Sequence, residues 1–139
     1  MSLLAFALLI TANLTGATPS GDHRAIAEAV ARQCADQRCV ADALVWAWRE
    51  SGLQLHPRPI SADAIDGRSV GAWQTPAELT PSWVDGMLRV WLNMRRQSLF
   101  ACGDLTALAS GQCVVATGLV EARQREAEWW LLVANGVGW

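Results

Sequence analysis

Three observations predict a mainly α domain. Apolar residues recur at helical spacing through three long segments, about 40–50, 83–94 and 119–131. The chain has 139 residues, 52% of them hydrophobic and 17% charged, which suits one domain around one core. Between Leu53 and Thr75 the helical pattern lapses into His56-Pro57-Arg58-Pro59, Asp66-Gly67 and Gly71. That stretch predicts a loop, or a short β-hairpin turning at Asp66-Gly67.

Met1 to about Ser20 holds the run Leu3-Leu4-Ala5-Phe6-Ala7-Leu8-Leu9-Ile10, too short to span a bilayer as a stable helix. With Thr15-Gly16-Ala17 as a cleavage site, the preferred reading of 1–20 is a secretory signal peptide, although no positive charge precedes the run. A core helix of the mature protein and a retained N-terminal anchor are the alternatives. The domain proper is then 21–139.

Asp22 is placed to cap a helix from about Arg24 to Gln33, with Ile26, Val30 and neighbouring alanines on its apolar side. A second helix follows from about Val40 to Glu50. Val40, Leu44 and Trp48 form one stripe, while Ala43, Trp46, Ala47 and Glu50 share another side. Apolar on both sides, this helix is expected at the centre, with Gly52 stopping it. Ser82 and Asp85 stand in capping-box spacing before a helix with Trp83, Met87, Val90, Trp91 and Met94 on one face, ending near Ser98. A short helix is expected over Asp104–Ala109. The last runs from about Ala116 to Ala134, with Leu119, Val120, Ala127, Trp130 and Leu131 inward. Arg123 shares that stripe, so it must be paired or reach into a cleft.

The four cysteines allow three pairings. The local one, Cys34–Cys39 and Cys102–Cys113, would staple turns between successive helices. An even count in a small domain fits an oxidising compartment, and a secreted or periplasmic location is expected. A net charge of −2 gives no electrostatic case for nucleic acid. All 11 basic residues are arginine. Of eight tryptophans most are expected in the core; the Trp129-Trp130 pair and Trp139 fit either core or an exposed patch. With only His23 and His56 beside the cysteines, no metal site and no cofactor are expected. His56 reads as a loop residue. No stable membrane insertion is expected beyond the N-terminal anchor alternative.

Glu50 is the exception on the apolar central helix, and Gln74, ending Gly71-Ala72-Trp73-Gln74, follows 24 positions later. Cleaving a glycosidic bond needs an acid still protonated near neutral pH. Emergence from an apolar core supplies that, because desolvation disfavours the charged form, and the helix C-terminus pushes the same way.

Arg49-Glu50-Ser51-Gly52, followed by Asp66-Gly67-Arg68-Ser69-Val70-Gly71-Ala72-Trp73-Gln74, resembles the core of the lytic transglycosylase and goose-type lysozyme superfamily. The family pattern is Glu-Ser-Gly at a helix end, a variable loop, and Gly-x-x-Gln. Ala107-Leu108-Ala109-Ser110-Gly111 and the arginine-bearing last helix are similar to its later region, so the resemblance covers about 24–133. It implies a lysozyme-like helical fold, with peptidoglycan glycan strands as partner and substrate.

Carried over by position, the resemblance makes Glu50 the acid/base. Ser51, Gln74, Trp73 and Arg123 become substrate-binding or site-orienting residues. The chain departs where the family has a tyrosine that supports the glutamate: Leu108 stands there, and no tyrosine is present anywhere. Either Trp73 or Arg123 then takes over the support, or activity is weak or lost. A hydrolytic lysozyme would call on a second carboxylate, for which Asp66 and then Asp63 are candidates, although Asp66 is more simply a turn former. A non-catalytic glycan-binding or structural domain that kept the fold is the remaining alternative.

Overall fold

A computed structural model describes residues 1–57, 69–113 and 118–136. The fold is mainly α with one two-stranded antiparallel hairpin.

The first helix, α1 (Leu3–Thr15), is capped by Ser2, whose hydroxyl accepts from Ala5 N, and is closed by Gly16. Phe6, Ala7, Ile10 and Thr11 are fully buried against α2 (Gly21–Gln33) and α3 (Gln37–Ser51). Thr11 satisfies its hydroxyl internally, donating to Ala7 O at 2.8 Å. The segment read from sequence as a leader therefore lies in the core of this fold. Among the described residues no helix is long and apolar enough to cross a membrane.

Helix α2 begins three residues earlier than expected, at Gly21 after Ser20. Asp22 does not cap it. The Asp22 carboxylate accepts instead from Leu55 N at 3.0 Å, tying the stretch after α3 onto α2. Helix α3 is capped by Asp36, which accepts from Cys39 N at 2.8 Å, and every residue from Cys39 to Ala47 is buried. It touches α1, α2 and α6 (Gly118–Ala134), the central place its two apolar sides predict. The one carboxylate in that buried stretch, Asp42, is held by Arg38 at 3.2 Å and Arg95 at 3.0 Å. Burial nevertheless pushes its carboxyl above the ordinary range, against the pull of both arginines.

Strands β1 (Ser69–Val70) and β2 (Thr75–Pro76) pair antiparallel across the turn Gly71–Gln74. The hairpin expected after the central helix is present, but its described turn is this one; Asp66-Gly67 lies outside the described residues. A 3-10 turn, Ala77–Leu79, leads to α4 (Val84–Cys102). The capping box expected of Ser82 and Asp85 does not form. Trp83 occupies the cap position without a side-chain bond, and Asp85 accepts from Arg32 at 3.1 Å and Gln33 at 3.2 Å on α2. Trp83 itself is 62% exposed, while Met87 and Trp91 face inward as expected.

Helix α4 runs four residues past Ser98, whose hydroxyl donates to Asp104 O and accepts from Ala107 N. This clasps the helix to the turn before α5 (Ala107–Ser110). On α6, Val120, Ala127, Trp130 and Arg123 are buried as the stripe predicts, while Leu119 is exposed. Trp130 sits in the core and Trp129 is exposed, so the pair divides between the two readings. Trp139 lies outside the described residues. The cysteines pair locally, Cys34–Cys39 across the α2–α3 turn and Cys102–Cys113 around α5.

Candidate functional site

Helix α3 needs something to end it, because its apolar surface continues to its last turn. Gly52, with φ of 65°, supplies the left-handed residue, and its N–H reaches back to Trp48 O at 2.9 Å. Leu53 follows with φ of 60° and is fully buried, so the chain turns sharply and plugs the core beneath it. That turn fixes Glu50 on the final turn of a helix buried from Cys39 to Ala47.

Glu50 is 29% exposed, and Arg123 from α6 donates to its Oε1 through Nη1 at 2.7 Å, while Arg123 is only 7% exposed. The guanidinium carbon lies 4.7 Å from the centre of the Trp46 ring, one turn back along α3. Trp46 is in turn packed on Trp91 at 6.1 Å, and Trp91 on Trp73 at 6.5 Å. The environment of Glu50 therefore differs from the all-apolar setting expected, because a cation touches the carboxylate. A second ion pair crosses the same seam: Arg49 donates to Glu126 Oε2 at 3.0 and 2.8 Å.

The other predicted residues are held locally. Ser51 donates to Ala47 O at 2.9 Å and accepts from Gln54 N at 3.2 Å, closing the helix end. Trp73 is 2% exposed, and its indole N–H donates to Ala43 O at 2.9 Å. The structure gives Trp73 a place in the core instead of on a binding surface. Gln74 adopts φ of 50° and turns its amide onto Gly71 O at 2.9 Å. Among the described residues, no hydrogen bond joins Ser51, Trp73 or Gln74 to Glu50. Leu108 is partly buried against the core. Asp63 and Asp66 lie outside the described residues.

The structure thus brings together Glu50 and Arg123 and adds Trp46 beside the guanidinium; the Arg49–Glu126 pair crosses the same helix seam as a separate ion pair. The Arg49–Glu126 pair carried no local signal, since its partners lie 77 positions apart on different helices. Trp46 as a platform for a cation carried no signal beyond its place in the core.

No protein-family model matches the chain, and neither a curated protein nor a solved structure aligns with it significantly. The resemblance to the lytic transglycosylase and goose-type lysozyme superfamily rests on the quoted residues alone.

Proposed function

We propose that this chain is a lytic transglycosylase with a lysozyme-like fold, exported to a secreted or periplasmic location, that cuts the β-1,4 bond between MurNAc and GlcNAc in peptidoglycan. The observation that carries the reading is Glu50: a partly exposed carboxylate on the last turn of the most enclosed helix, touched by an arginine from the core. Two locally closed disulfides fit an oxidising destination.

In this reading Glu50, protonated, gives its proton to the glycosidic oxygen as the bond from C1 breaks, and GlcNAc leaves as the alcohol. The resulting carboxylate takes the proton of the MurNAc 6-hydroxyl as that oxygen bonds to C1. A 1,6-anhydro ring closes, Glu50 regains its proton, and no water is consumed. One carboxylate suffices for both steps. A hydrolytic lysozyme of the same fold would place water where the 6-hydroxyl attacks.

The crossed pairs Glu50–Arg123 and Arg49–Glu126 favour a second reading, in which Glu50 staples α3 to α6 in a non-catalytic glycan-binding or structural domain. Clearing of a bacterial cell-wall suspension by the full chain and by Glu50→Gln separates the two, with circular dichroism confirming that both fold. The expected result is clearing by the unmodified protein and a loss of roughly 100-fold or more in the variant. Equal clearing by both refutes the assignment of Glu50; no clearing by either leaves the staple reading standing. Mass analysis of the fragments distinguishes anhydro ends from reducing ends.

A further inference from the structure

We propose that Arg123 is a positioning residue for Glu50, one that aims the carboxylate, and that it does not bind glycan. The inference rests on the catalytic reading of Glu50 and deepens it.

Two ion pairs join the same stretch of α3 to the same stretch of α6, and they are built differently. Arg49 uses two donors, Nε and Nη2, on Glu126, and its side chain is 51% exposed. That is ordinary surface stapling, solvated on the arginine side and inexpensive to make. Arg123 is buried to 7% exposure, yet meets Glu50 through one donor only. Its Nε is buried with no hydrogen-bond partner among the described residues. Burying a cation and leaving one of its donors unsatisfied works against stability. A staple would not be selected in that form when the neighbouring pair does the same work better.

Aiming a carboxylate explains the form. The guanidinium is backed by the Trp46 ring, itself packed on Trp91, which favours its buried position. Its single bond restrains Oε1, while Glu50 Oε2 carries no hydrogen bond to a described residue. One oxygen is held while the other is left to take the 6-hydroxyl proton, the step in which Glu50 is ionised and a neighbouring cation suits it. The exposure gradient runs the same way, from 7% at Arg123 to 29% at Glu50, so a glycan approaching from solvent meets the acid before the arginine. Leu108, a hydrocarbon, offers no hydrogen bond for this purpose. Trp73 has its only donor on Ala43 O.

The test compares the full chain with Arg123→Lys, Arg123→Met and Glu126→Gln. It uses steady-state cleavage of purified peptidoglycan glycan strands, with a thermal melt of each protein. Loss of aim lowers kcat by on the order of 100-fold in Arg123→Met, with partial rescue by Arg123→Lys and KM held within about threefold. Glu126→Gln, which removes the other staple, lowers the melting temperature but leaves kcat unchanged. If Arg123→Met does not fold, Arg123→Lys carries the comparison, since it retains the charge. A rise in KM with kcat kept overturns the inference in favour of glycan binding. A loss of kcat no greater than that of Glu126→Gln overturns it in favour of a staple. An unmodified protein that releases no fragments overturns the catalytic reading and this inference together.

Discussion

Phe6→Ala tests whether α1 belongs to the folded core. Phe6 is fully buried on the inner face of α1, among side chains shared with α2 and α3. A buried phenylalanine removes on the order of 200 Å² from water. At about 25 cal/mol per Å² this corresponds to roughly 5 kcal/mol, of which the alanine retains a small part while the cavity adds a cost. Phe→Ala substitutions in close-packed cores lose about 3–5 kcal/mol, so this range is expected here. Against a total stability of about 5–15 kcal/mol, it is a large fraction. For a domain of this size it lowers the melting temperature by roughly 10–20 °C. Leu4→Ala, on the outer face at 42% exposure, is the control and should cost less than about 1 kcal/mol. Urea and thermal unfolding of the full chain read both. If Phe6→Ala and Leu4→Ala shift the midpoint equally, α1 is not docked as described and the reasoning fails. The same packing predicts that a chain lacking residues 1–17, and with them four fully buried side chains, melts below the full chain.

Two further predictions concern the segments around the site. Gly71→Ala forces a side chain into a φ of 80° and brings its Cβ within 2.9 Å of Met87 Sδ; a loss of about 1–3 kcal/mol is expected in urea unfolding. Asp85 feels burial, which raises its carboxyl, but hydrogen bonds from Arg32 and Gln33 and the charges of Arg32 and Arg89 outweigh it and hold Asp85 below its ordinary value of 3.8. A depressed acid adds stability above its unfolded pKa and loses it as pH falls through the folded one. Asp85→Asn should therefore lower stability slightly at pH 7, by no more than about 1 kcal/mol because the pair is half exposed, and the difference from the unmodified protein should shrink as pH falls through the depressed folded pKa.

The helices were legible because their signal is local. Periodicity located α3, α4 and α6, and the same stripe that marked α6 as inward-facing put Arg123 on it and required a partner. Which partner was not legible, since Glu50 lies 73 positions away and only the docking of α6 on α3 joins them. Local rules failed where a distant group made the better bond. Asp22 and Asp85 both stand where capping residues stand, yet one accepts from Leu55 N and the other from Arg32 and Gln33. Composition alone favoured a leader for the apolar run at the N-terminus; the burial of Phe6 and Ile10 in this fold depends on packing with α2 and α3 that no local pattern shows. Trp73 was read toward substrate for its place beside Gln74, but an indole in a glycine-rich turn fits a core just as well.

The two motif segments are joined by the backbone of α3 itself. Trp73 bonds to Ala43 O, and Ser51 bonds to Ala47 O, one helical turn further on. The glycine-rich turn and the Glu-Ser-Gly end are thus anchored on carbonyls one turn apart along one buried helix. Their separation in space is set by the pitch of that helix, whatever the length of the loop between them. This arrangement divides the labour. Ser51, Trp73 and Gln74 are spent on holding backbone in place, through their bonds to Ala47, Ala43 and Gly71. Glu50 and Arg123 are the motif-derived side chains whose contact crosses from one helix to another at the surface. The proposed chemistry at this end of the fold rests on that pair, with the rest of the motif acting as its frame.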